Sequence, residues 1–397
     1  MPTTARVAIM IALALCLSGV ESAWARVKLI TLPVRERVAV HMEHADVTLV
    51  EEERLVPLTP GGNTVDFSWS NTGIDPESIV LRIIEGSGSE GVEVLSVSYP
   101  PNENALIWRV HAKKGGTARV RIAYTLAGLT GQADYRAVAS PDEKHLLLTE
   151  YLDVTNRARE SFDNAVAHYA PGRSQRLDLG RSETKRIRVA AYRQVPVSKI
   201  YTADLAEYGY QDRPRKRLKV PMHYRFKNSQ DQGLGSYPLR PGKMRIFQDD
   251  GKGSQAFLGE DRAPFTPLGN DVELYLGVAR DVVVTRIIEK NTPKRLDGNL
   301  FDHDVVIRYE IENFKNQPVT LLIAEDVRRI RDEVRGNNRR DVEWEIGPET
   351  SLPGDPDQEK GSYRKVVYSI DLAGRSAAVK VAKRIYRLHL RFKNEWR

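Results

Sequence analysis

Residues 235–281 read GSYPLRPGKMRIFQDDGKGSQAFLGEDRAPFTPLGNDVELYLGVARD, and this stretch decides the fold class of the 397-residue chain. Residues 243–247 alternate as a short strand, residues 249–253 (Asp-Asp-Gly-Lys-Gly) carry the Asp-Gly signature of a tight turn, and residues 255–258 return antiparallel. Pro238, Pro241, Pro264 and Pro267 lack the amide hydrogen a ladder needs, so they confine pairing to short runs and stiffen the joins. Gly259, Glu260, Asp261 and Arg262 follow, bounded by glycine and proline, and read as a loop. Two acids beside a planar guanidinium fork make it a candidate structural pairing or partner contact.

The same period of two spreads outward. Residues 117–124 (TARVRIAY) alternate apolar with basic, and residues 386–392 place Tyr386, Leu388, Leu390 and Phe392 on one face with Arg387, His389 and Arg391 on the other. Roughly twenty such runs fill the chain, residues 92–99 among them, whereas helix is expected only at 202–208 and 325–334. The expectation is an all-β protein of two or three antiparallel β-sandwich-like domains, spanning 26–115, 116–270 and 271–397. The last is immunoglobulin-like by strand count and spacing. The turn at 113–116 and the basic segment at 212–221 read as seams. Three runs end on asparagine before a polar turn, at Asn156, Asn228 and Asn313; asparagine tolerates left-handed backbone and bonds its own neighbours, which suits a strand exit.

Residues 1–25 have the parts of a secretory leader: Arg6, an apolar run at 7–17, and Ala23-Trp24-Ala25 as a cleavage site. That run is shorter than the roughly 20 residues a membrane span needs, so a periplasmic or secreted protein cleaved after Ala25 is expected, with no span remaining. The single cysteine, Cys16, leaves with the leader, which excludes disulfides and thiolate chemistry from the mature chain. With 60 Lys+Arg against 53 Asp+Glu the net charge is +7, and most charges interleave on strand faces. The dense runs are Arg213, Arg215, Lys216, Arg217 and Lys219, and the series Arg328, Arg329, Arg331, Arg335, Arg339 and Arg340. Either run reads first as a solvated loop, and more sharply as a patch that attracts an anionic polysaccharide or lipid head groups. Nucleic acid is disfavoured by the leader and by the lack of any nucleic-acid motif.

No stretch supplies a catalytic motif, and no cofactor or metal is expected. Residues 86–91 (GSGSEG) are not a nucleophile elbow. His41 and His44, three apart, share a face on a helix but not on a strand. Asp302-His303-Asp304 reads as an exposed strand start.

The order LGSYPLRPGKMRIFQDD (234–250), AFLGEDR (256–262) and PLGNDVELYLGVARDV (267–282) resembles the DUF4139 family, also labelled the mucoidy inhibitor A family. Residues 45–83 are similar to the family's opening through Ile74, Asp75, Pro76, Ser78 and Val80, and the middle through Ile122-Ala123-Tyr124 and Ala133-Asp134-Tyr135. Gly131-Gln132 stand where the family usually has tryptophan, and short loops at 87–90 and 102–104 replace the coiled coil many members insert. The resemblance implies an exported β protein without an agreed activity. The expected function is therefore a non-catalytic binding or scaffolding component that meets another envelope protein through strand edges or stiff loops. The alternative is an enzyme or binding protein acting on envelope polysaccharide.

Overall fold

The computed structural model describes residues 28–44, 47–69, 72–84, 90–335, 343–357, 361–376 and 381–396; the expected leader, Arg339 and Arg340 lie outside them. The described chain is all-β, in five sheets, as the alternation predicts. It divides into two compact units, one of residues up to 132 with 153–186, the other of 133–152 with 187 onward.

In the first unit, sheet A has the order β1 (Lys28–Thr31), β4 (Gly61–Ser68), β7 (Ala105–Ala112), β6 (Val92–Ser98). Sheet B has the order β12 (Arg173–Leu179), β11 (Phe162–Ala170), β2 (Arg37–His41), β3 (Thr48–Leu58), β8 (Gly116–Leu126), β5 (Val80–Ile83). Alternation buries Val65 and Phe67 of β4 and Leu106, Trp108 and Val110 of β7, with Val38, Val40, Val50, Ile122 and Tyr124 of sheet B. Phe67 lies 5.9 Å from Trp108 and 6.0 Å from Tyr124, ring centre to ring centre, so one aromatic touches both sheets of the sandwich.

In the second unit, sheet C has the order β13 (Thr184–Pro196), β10 (His145–Asn156), β9 (Leu129–Ala139), β18 (Gly242–Asp249), β19 (Gln255–Ala263). Sheet D runs β20 (Asp271–Val278), β17 (Pro221–Lys227), β14 (Ser198–Asp204), β23 (Val319–Asp326), β25 (Lys365–Leu372). Sheet E runs β15 (Tyr210–Asp212), β16 (Arg217–Leu218), β21 (Val282–Asp297), β22 (Leu300–Asn313), β26 (Ala382–Trp396), β24 (Glu343–Ile346). One face of sheet D is covered twice. Tyr201, Leu321 and Tyr368 pack with Val284, Ile307 and Leu390 of sheet E, while Tyr224, Phe226 and Leu274 pack with Tyr135, Leu148 and Ile246 of sheet C.

The boundaries differ from the expected seams. Residues 113–116 make the turn from β7 to β8, and residues 212–221 hold the turn between β15 and β16. The crossings at 132/133, 152/153 and 186/187 fall inside β9, β10 and β13, so no turn composition marks them. Residues 271–397 are not a sandwich by themselves either: β14 lies between β17 and β23, pairing parallel to β23 with Ile200 opposite Thr320, and β15 and β16 extend sheet E. Sheets A, B, C and D each contain such a parallel pair.

Helix is as scarce as expected. Asp204 caps α1 (Leu205–Tyr208) through the amides of Ala206 and Glu207, and α2 (Val327–Arg335) buries Val327, Ile330 and Arg331. The arginine series is therefore not simply a solvated run, because Arg331 meets buried Glu395 at 2.9 and 3.0 Å. Arg286 of β21 is likewise buried, with Glu325 at 2.6 Å and Glu333 at 3.0 Å, and the Tyr309 hydroxyl donates to Glu325 at 2.6 Å. Desolvation holds that hydroxyl protonated by raising its pKa far above the ordinary value.

The three asparagines are fully buried clamps. The Asn156 amide donates to the carbonyls of Glu160 (2.7 Å) and Gly180 (2.8 Å), while its oxygen accepts from the Ala158 amide (3.0 Å). Asn313 does the same with Gln317, Ala373 and Lys315, and Asn228 with Tyr237, Thr266 and Gly235. None has positive φ, so side-chain bonding, not left-handed backbone, explains asparagine at these strand ends.

Candidate functional site

Strand β6 ends sheet A with β7 on one side and, among the described residues, no ladder partner on the other. Its sequence, Val92-Glu-Val-Leu-Ser-Val-Ser98, has one charge. The register slips between Val94 and Ser96, which leaves Leu95 as the extra residue of a bulge. A one-residue slip reverses the alternation, so apolar side chains emerge together: Val94 is 40% exposed, Leu95 62%, Val97 44%, and Tyr99 just beyond 51%. A free edge of amides and carbonyls flanked by exposed apolar groups can accept a further strand. The alternation marked 92–99 as a strand. What it did not mark was an edge, although Val94, Leu95 and Val97 already break the apolar–polar alternation.

The singled-out hairpin forms. β18 and β19 pair antiparallel from Gly242 opposite Ala263 to Asp249 opposite Gln255. The turn is held by Asp249 accepting from Gly251 (2.7 Å) and Asp250 accepting from Lys252 (2.8 Å) and Ser254 (2.9 Å). Those amides hold the Asp250 carboxyl below the ordinary carboxylate range, and Gly251 supplies the turn's positive φ of 72°.

Gly259, Glu260, Asp261 and Arg262, however, lie in β19 and not in a loop. The pairing jumps from Ile246–Gly259 to Phe247–Phe257, so the glycine flanks a bulge at Leu258 rather than ending the strand. Glu260 is shared between Lys243 (3.0 Å) and Arg245 (3.2 Å), and Arg245 continues to Asp134 (3.1 Å). Asp261 accepts the Tyr275 amide of β20 at 2.7 Å. The acids therefore pair with β18 and β20, and Arg262 joins them through its backbone amide, which donates to Asp261 at 2.7 Å.

Arg213, Arg215 and Lys216 sit exposed in the β15–β16 turn, with Arg217 and Lys219 half-buried on its return. Asp212 offsets part of this charge, accepting from the Arg215 amide at 3.2 Å. Asp302-His303-Asp304 is less exposed than expected: His303 is buried, and Asp304 meets His389 and Arg391, each at 3.1 Å. Burial alone would raise the Asp304 pKa, but hydrogen bonds from His389 and Arg391 hold it below the ordinary carboxylate range.

Among the described residues, no helix is long and apolar enough to cross a membrane. No protein-family model matches the chain, and no curated protein matches it.

Proposed function

We propose that this is an exported cell-envelope protein of the kind the DUF4139 resemblance implies, a non-catalytic binding or scaffolding component that receives a strand of another envelope protein on β6. The observation that supports this reading is the apolar free edge of β6, Val94 to Tyr99. Backbone pairing would supply affinity, and Leu95 and Val97 would select the partner's apolar side chains. In-cell photo-crosslinking from position 95, followed by mass spectrometry after a high-salt wash, tests it. One salt-resistant protein at near-stoichiometric yield, lost in Leu95→Lys, is the expected result; recovery of glycan or lipid alone overturns it.

A second reading, action on or binding of anionic envelope polysaccharide or lipid head groups, draws on the exposed Arg213, Arg215 and Lys216. Retention on an acidic polysaccharide column that vanishes with salt and with Arg213→Ala/Arg215→Ala favours it; retention unchanged by the double substitution removes it.

A further inference from the structure

The outer face of sheet B gathers two imidazoles and two carboxylates away from the β6 edge. Strands β2 and β11 run parallel in register, with Val166 beside Ala39 and His168 beside His41. Neighbouring strands lie about 4.8 Å apart, so side chains on one rung and one face stand side by side. The His41 and His168 rings accordingly stack with centres 4.6 Å apart and planes 8° apart. The Met42 amide donates to the His168 carbonyl at 2.8 Å and fastens that rung. Oε2 of Glu43 lies 3.7 Å from His41 Nδ1, and Oε2 of Glu51, on β3, lies 3.3 Å from His41 Nε2. One ligand atom from each of His41, Glu43 and His168 lies within 4.8 Å of the other two.

We propose that His41, His168 and Glu43 bind a divalent transition-metal cation of the zinc class. Imidazole nitrogen and carboxylate oxygen are the donors such an ion takes, at about 2.0–2.2 Å, and three protein ligands leave a position open for water or a ligand. Donors around such an ion stand roughly 3.4 Å apart; the half-buried His41 and His168 rings, now nearly parallel, must tilt so that both in-plane lone pairs meet the ion, and the exposed Glu43 side chain rotates in to close the cluster. Glu51 completes the arrangement. With its carboxylate on Nε2 of His41, the Nδ1 lone pair is directed toward Glu43 and the ion, the carboxylate–histidine–metal relay that fixes a ligand's tautomer. The open position adjoins a cavity of about 400 Å³ that shares His168 and Glu51 with the cluster and continues over Ala39 and Val166 to Arg37 and Glu53. Arg121, which lines the same cavity, is paired with Glu53 at 2.6 Å and also lies within electrostatic reach of Glu51.

The purified full-length chain, stripped with a chelator, is titrated with Co²⁺ while visible absorbance is followed, and then with Zn²⁺ in competition. One ion per chain with a d–d band is expected. His168→Ala and Glu43→Gln should each weaken binding about 100-fold, and Glu51→Gln about 10-fold, the range of outer-shell losses. Metal-free thermal unfolding of Glu43→Gln should match the parent, since that side chain is exposed. Equal affinity in the parent, His168→Ala and Glu43→Gln would mean adventitious surface coordination, and no binding by the parent at 100-micromolar-order metal would sink the site outright.

Discussion

Strands β6 and β19 each end a sheet, and they end it differently. The second half of β19 lies along β20, where the Asp261 carboxylate takes the Tyr275 amide at 2.7 Å and does the work of a missing carbonyl. Glu260 is held between Lys243 and Arg245, and exposed Phe257 near the hairpin tip packs on Phe247, whose ring carries the Arg136 guanidinium at 4.4 Å. β6 has one charge, a bulge and four exposed apolar residues through Tyr99. An edge is closed when side chains occupy its hydrogen bonds and mask its apolar groups; without them it is a surface awaiting a strand.

The largest test of this contrast removes a support of the closed edge. Asn228 donates to Tyr237 and Thr266 in the segments flanking the β18–β19 hairpin, so Asn228→Ala strands buried carbonyls and should cost about 3 kcal/mol in urea unfolding. An effect under about 1 kcal/mol would mean those segments hold themselves. Asp261→Ala should cost about 1–2 kcal/mol and selectively speed hydrogen exchange at Tyr275, whereas Asp261→Asn, which keeps an acceptor, should cost less. Leu95→Lys inverts the pattern: stability should move by less than about 0.5 kcal/mol while partner capture falls at least tenfold. The smallest effect gives a baseline for the first unit. The hydrogen bond from Arg121, together with Arg119, lowers the Glu53 pKa against the opposing cost of burial. Its stabilisation is present above the ordinary carboxylate value and is lost as pH falls through the lowered folded value. Glu53→Gln should lower the urea midpoint slightly near neutrality and flatten its fall over that acid range, so that parent and variant converge at low pH.

Much of this was legible in the chain, for physical reasons that also mark where legibility stops. The 242–263 hairpin declares itself because its turn chemistry and alternation are both local. The recurring strand-end asparagine was visible too, although its use as a buried clamp depends on carbonyls as far away as Ala373 is from Asn313. Gly259 misled, since a glycine at a bulge and a glycine at a turn look alike without the partner strand. The pairing of His41 with His168 had no local signal at all. It exists only because β11 joins β2 in parallel, and His44, the nearer histidine in sequence, is not part of that cluster.

The chain's three passages between its units also impose an order of events as it emerges. The first unit has all its residues once 186 has appeared, but β9 must wait for its parallel partner, whose Gly242 pairs with Ala133 about a hundred residues later. At synthesis rates of about 5–20 residues per second, β9 has β10 on one side but keeps its other edge open for about 5–20 s. Tyr135 and Ala137 of β9 reach their final burial only when β18 completes the sheet. A holding chaperone would cover that open edge in the interval, because pairing between strands so distant in sequence closes slowly.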